Sequence, residues 1–206
     1  MLAASSTLAI YFVHGLNWST TAALVGTSMA VVITMALGVL FSSLSHLTGF
    51  GTEDAIMINA AAGQINLKGL LLAGLLVGAL GALTDITIVQ ASVVRELAHV
   101  NPEFSIGELY RRGMNVGLDH VGSLVNTLVL AYTGAALPLL ILLTLSDFSL
   151  ARALNLELVA AEIVHTLVGS IGLILGVPIT TYLAALLFRG DQLPMGPGEL
   201  DYTHPH

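Results

Sequence analysis

Asp85 interrupts an otherwise apolar run. The stretch 67–94, LKGLLLAGLLVGALGALTDITIVQASVV, has it as its only acidic residue. A carboxylate near a bilayer centre costs ~2.5–3.5 kcal/mol on insertion scales, so such a residue usually faces a partner or a wet cavity and often handles ions or protons. A second carboxylate, Asp119, lies in the next apolar segment beside His120. Gly122, Ser123, Asn126 and Leu130 follow Asp119 at helical spacing, with Thr127 beside them, and make a polar stripe along a membrane helix. Counted inward from Arg95 and Arg112 at 1.5 Å per residue, Asp85 lies ~15 Å and Asp119 ~10 Å deep. The difference is about one helical turn. Two carboxylates meeting there across antiparallel helices would hold a shared proton more readily than either alone. Asp85, Asp119, His120, Ser123, Asn126 and Thr127 are therefore the candidate ion- or proton-coupling residues. The structural alternative is that Asp85 caps a neighbouring helix or pairs with His14 or Asn126, and His120 points ~100° away from Asp119.

Glu162 and His165 are secondary candidates. An E-x-x-H pair can hold metal in a helix bundle when a second set faces it. A single copy near the outer end of the last span reads better as an interfacial ion pair, so no metal and no cofactor is assigned. His204 and His206 fall in a tail with three prolines and no apolar periodicity, which reads as disordered over 190–206. With no cysteine there is no disulfide framework, thiolate nucleophile or thiolate metal site. The chain has no G-x-S-x-G, H-E-x-x-H or P-loop motif. The Tyr-Asp and Gly-Leu-Gly-Asp contexts of intramembrane aspartyl proteases are absent as well, so no enzyme class is expected.

The elements that must position these residues are membrane helices. The 206 residues are 55% hydrophobic and only 9% charged, and the mean hydropathy is +0.89. A soluble domain carries about 25% charged residues, which excludes that class. The net charge of −7 is diffuse and forms no basic stripe, so nucleic acid is not a partner. The expected fold is an all-α polytopic transmembrane bundle with five membrane segments at about 1–13, 19–42, 67–94, 114–145 and 156–188. The first is short for a span of ~20 residues and reads as partial, not as a cleavable leader. Pro138 and Pro178 are the expected bend points, since each removes a backbone donor. Arg95, Arg111, Arg112 and Arg189 lie on one side of the spans and Lys68 and Arg152 on the other, which favours a cytoplasmic 95–112 connection and a cytoplasmic C-terminus in a cell-membrane protein.

The connections carry helix-start signals. Asn101-Pro102 marks a turn, and Ser105 to Glu108 fits a capping box ahead of a short helix that runs into the fourth span. Thr52-Glu53-Asp54 starts another, made interfacial by Ile56, Met57 and Ile58. Gly74, Gly78, Gly81 and Asp85, continued by Ser92, place small residues on one face of span three, which predicts close helix approach with Asp85 on the protein-facing side. Gly169, Gly172 and Gly176 do the same for span five, as a packing groove. More small-residue surface than one five-helix bundle can bury predicts a homo-oligomer or a second membrane subunit.

The run from Gly78 to Asp85, GALGALTD, with QASVVRE at 90–96, resembles the YibE/F-like family of bacterial membrane proteins. So do ELYRRGMNVGLDH at 108–120 and NTLVLAYTGAALP at 126–138. The resemblance covers about His14 to Phe188. Members of that family usually have a further N-terminal span and an extracytoplasmic domain. More distantly, the order of spans is similar to the membrane half-domains of SecD and SecF and of resistance-nodulation-division transporters. That similarity implies a half-bundle in which intramembrane acidic residues relay protons. The function expected is proton- or ion-coupled transport; the competing class is a non-transporting scaffold or receptor subunit with structural aspartates.

Overall fold

The computed structural model describes residues 18–63, 65–146 and 148–189. The expected segment about 1–13, His14 and the tail 190–206 lie outside the described residues. Every regular element described is a helix: α1 (Trp18–Leu44), α2 (Glu53–Ala62), α3 (Leu67–Val100), α4 (Ile106–Ala135), α5 (Leu137–Thr144), α6 (Leu150–Leu154) and α7 (Glu157–Phe188). Helices α1, α3 and α7 have 27, 34 and 32 residues and are long and apolar enough to cross a ~30 Å hydrocarbon core. A fourth crossing follows if α4 and α5 count as one span, bent by 57° at its break.

Local chemistry sets the boundaries. Ser105 caps α4 by accepting the Glu108 amide at 3.2 Å, and Glu108 lies 3.7 Å from Arg111 and 3.9 Å from Arg112. The helix starts at Ile106 and continues without a break into the span expected from 114. Thr52 caps α2 through the Ala55 amide at 3.1 Å. Pro138 stands in the first turn of α5, where its missing donor costs nothing, while its ring would clash with the carbonyl four residues back in a continued α4. That is the bend. Pro178 is accommodated inside the continuous helix α7.

The last helix is the spine. It packs against α1, α3 and α4, and α3 packs in turn against α1 and α4. Its glycines make the approach close. A Cβ at Gly172 would collide with the Thr34 side chain of α1, and one at Gly169 would come within 3.0 Å of Leu128 of α4. Gly26 of α1 receives Thr180 of α7 in the same way. Three interior threonines spend their hydroxyls on their own helices: Thr27 donates to the Ala23 carbonyl at 2.8 Å, Thr34 to Ala30 at 2.7 Å and Thr181 to Val177 at 2.6 Å. Inside the bundle a direct link crosses from α1 to α3, between the Thr27 and Thr87 hydroxyls at 2.5 Å, and at the bundle end Lys68 donates to the Ser43 hydroxyl at 3.1 Å. Gln90 of α3 joins three helices, since its Nε2 donates to the Gly113 carbonyl of α4 at 2.8 Å and to the Thr181 hydroxyl of α7 at 2.7 Å. Both amide donors are thereby used.

Small and polar residues fill much of the inside, while Val32, Met35, Leu40, Leu70, Val77 and Leu167 face outward. That distribution suits lipid, where helices associate through close packing and not through a hydrophobic effect. Ala22, Ala98, Leu109 and Phe188 cluster at one end of the bundle and Leu47, Leu75 and Ala161 towards the other. Arg95, Arg111, Arg112 and Arg189 therefore gather at the first end, while Lys68 and Arg152 adjoin the second.

The groove makes a direct prediction. Gly172→Val forces two β-branched side chains into one space and should destabilise the bundle by about 1–3 kcal/mol. Gly81→Ala, where a Cβ meets nothing within 4 Å, should be neutral or slightly stabilising. Unfolding in mixed detergent micelles measures both.

Candidate functional site

Helix α4 has two opposite faces. Leu109, Gly113, Gly117, Val121 and Leu128 are buried against the bundle. Their close fit needs glycine: a Cβ at Gly117 would lie 2.6 Å from Val177 and 2.7 Å from the Gln90 side chain. Asp119 is two residues beyond Gly117, ~200° around the helix, and so faces directly away from the bundle. Asn115, His120, Ser123, Asn126 and Thr127 are exposed with it. Asn115, Val116, Asp119, His120 and Ser123 line a shallow open groove of about 460 Å³. Thr127 closes its hydroxyl onto the Ser123 carbonyl at 3.0 Å. Asn115 belongs to this set and was not singled out from sequence, although its i−4 spacing from Asp119 was the available signal.

Asp85 departs from expectation. It is exposed, and so is the small-residue face that carries it. A Cβ at Gly74 or Gly81 would meet nothing within 4 Å. Among the described residues, Gly78 is the glycine of that row that approaches another helix, and it admits the Tyr132 hydroxyl of α4. The inward face of α3 is built instead from Leu75, Ala79, Leu83, Ile86, Thr87 and Gln90. Bulky apolar side chains and hydrogen-bonded Thr and Gln fill the interior against the glycines of α7, so the small residues of α3 are left on the outside.

Gln90 bonds to Gly113, and Gly78 admits Tyr132, so α3 and α4 run antiparallel with Asp85 and Asp119 between these two anchor points. Along the axis the two residues lie within about one helical turn. Neither carboxylate has a hydrogen bond or ion pair among the described residues. A shared level and outward faces are what the chain provides.

Glu162 and His165 lie apart from this stripe, on α7 near its start. The expected interfacial ion pair is not formed. Glu162 Oε2 and His165 Nε2 are each buried without a hydrogen-bond partner, and so is the hydroxyl of Tyr132 from α4. The Tyr132 and His165 rings stand 6.1 Å apart at 53°. Sequence reasoning passed over Tyr132, a lone phenol in an apolar run. No group of three His, Cys, Asp or Glu residues able to hold a metal ion occurs among the described residues. Glu157, one turn before Glu162, is fully engaged: it accepts the Thr48 amide at 2.6 Å, the Gly49 amide at 2.6 Å and the Thr48 hydroxyl at 2.7 Å. Gly49 sits at φ +87°, and a Cβ there would lie 2.5 Å from the Leu67 carbonyl, so only glycine fits. This clamp fixes the loop that follows α1 onto the top of α7.

Long helices with small interiors, apolar exteriors and three to four candidate crossings define a multi-pass helical membrane protein. Within that class the match is specific: the family model described as YibE/F-like protein covers residues 1–190, and the chain belongs to that family. No curated protein and no solved structure matches it.

Proposed function

We propose that the chain is one half of a proton- or ion-coupled transporter, with Asp119 and Asp85 as the carrying groups. Ser123, Asn126 and Asn115 serve as neutral hydrogen-bond partners beside them, and His120 flanks the groove. One observation carries this reading: the polar face of α4 points out of its own bundle, along a helix that with α5 is a candidate membrane span. Lipid does not satisfy a row of Asp, Ser and Asn side chains, so the row needs water or a second protein surface. A second copy, or another membrane subunit related by a pseudo-two-fold axis, would place an equivalent face opposite it. Coupling-ion sites in transporters built from repeats lie at such an interface near the midplane. The similarity to the half-domains of SecD and SecF and of resistance-nodulation-division transporters points the same way, at fold level only. No catalytic step, metal or cofactor enters the reading. The charge bias supports a cytoplasmic arginine-bearing end, with the C-terminus on that side of the cell membrane.

Since neither aspartate has a hydrogen bond or ion pair among the described residues, Asp85→Asn and Asp119→Asn should leave unfolding unchanged within about 0.5 kcal/mol. Each should abolish coupled flux in proteoliposomes, read with an entrapped pH dye or with labelled sodium. Full flux in both variants would sink the transport reading and favour a scaffold or receptor subunit. Native mass spectra from nanodiscs should show a dimer or heteromer; monomers at every concentration would contradict the interface. An impermeant thiol reagent should fail to label Glu103→Cys in intact cells.

A further inference from the structure

We infer that Tyr132, Glu162 and His165 form a binding site for a primary ammonium group carried on an apolar body. The inference stands apart from the transport reading and uses a different face of the molecule. It rests on three unmade hydrogen bonds and two cavities. Glu162 Oε2, His165 Nε2 and the Tyr132 hydroxyl are all buried and unpartnered in the same region between α4 and α7. Buried polar groups are ordinarily paired, and each one left unmade disfavours the unliganded state.

Two cavities flank the cluster, with Glu162 in the wall of both. The first, about 360 Å³, lies between the α4–α5 bend and α7, and Leu139, Leu140, Val159, Ile163 and Leu167 make most of its wall. That size and lining suit a small molecule held by apolar contact and oriented by a few polar groups. The second, about 250 Å³, opens beneath the clamped loop and is bordered by Gly49, Thr52, Glu157, Glu162 and His165. No Lys or Arg lines either cavity. The polar recess is thus acidic beside an apolar chamber. Glu157 is already saturated by Thr48 and Gly49, which leaves Glu162 as the carboxylate free to accept.

An ammonium has three donors and no acceptor. The cluster offers a carboxylate oxygen, a phenol oxygen and, in one neutral tautomer, an imidazole nitrogen. A protonated alkylamine would place its head against Glu162 and its chain in the apolar chamber. An anion would meet Glu162 unfavourably, and a compact metal ion would leave the chamber unfilled and find too few ligands. Glu162 and His165 lie about one and a half and two turns into α7, close to one end of a helix long enough to cross the membrane. The same chemistry is therefore available from a free amine or from a phosphatidylethanolamine headgroup.

The test uses the full chain in nanodiscs of phosphatidylcholine alone, titrated calorimetrically with hexylamine and with hexanol as the neutral match. Hexylamine should bind and hexanol should bind at least about tenfold more weakly, as loss of a charged hydrogen bond implies. Glu162→Gln should weaken hexylamine by about tenfold or more, and Tyr132→Phe by about fivefold. Glu96→Gln, at the other end of the bundle, should bind like wild type. Tyr132→Phe keeps the test valid if Glu162→Gln fails to fold. Equal binding of the amine and the alcohol, no binding of the amine, or undiminished affinity in both site variants would overturn the proposal. Adding phosphatidylethanolamine to the nanodiscs separates the sources: competition with hexylamine assigns the site to the lipid headgroup, and no competition assigns it to a free amine.

Discussion

Close approach of α7 to its neighbours is the constraint on which the rest of the bundle depends. In lipid no hydrophobic effect draws helices together, so association comes from contact surface and a few hydrogen bonds. Gly169, Gly172 and Gly176 remove side chains from one face of α7, and Thr34, Leu128 and Ala30 fill the space. The threonines at these crossings fold their hydroxyls back onto their own carbonyls, which makes them behave as small apolar surfaces. Gln90 joins three helices, and it fixes the register of α3 against α4 and α7.

That register decides what is left outside. Once Gly113 and Gly117 seat on Gln90 and Val177, Asp119, Ser123 and Asn126 point away from the bundle. Once Leu83 and Ile86 fill the inside of α3, Asp85 points away as well. The packing of one chain thus produces two outward carboxylates at a common level and a polar stripe that lipid cannot satisfy. The same helices leave Tyr132 and Glu162 behind the bend at Pro138, in a separate polar cluster beside an apolar chamber. A single spine helix therefore supports two chemically distinct faces: one open and acidic, the other recessed and amphipathic.

Local signals were legible from sequence. The Ser105 and Thr52 caps, the Pro138 bend and the glycine groove of α7 follow from short-range rules, and the α1, α3 and α7 boundaries fall near those expected. The facing of α3 was not legible. A row of small residues permits close approach but does not require it, and at Gly74 and Gly81 none of the described residues comes near. The Glu162–His165 spacing was visible, while Tyr132 was hidden because its relation to them exists only across α4 and α7. Gln90 escaped attention for the same reason: its partners are twenty-three and ninety-one residues away.

The central claim is that the outward face of α4 borders water or a wet interface inside the membrane. Single cysteines placed along 113–130 in this cysteine-free chain test it directly, using a small water-soluble thiol reagent on the protein in lipid. Reactivity should peak at positions 115, 119, 123 and 126 and fall at 113, 117, 121 and 128, tracing one side of the helix. Uniform protection of 119, 123 and 126, under conditions where a cysteine at 103 still reacts, would show a dry face and contradict the coupling-site account.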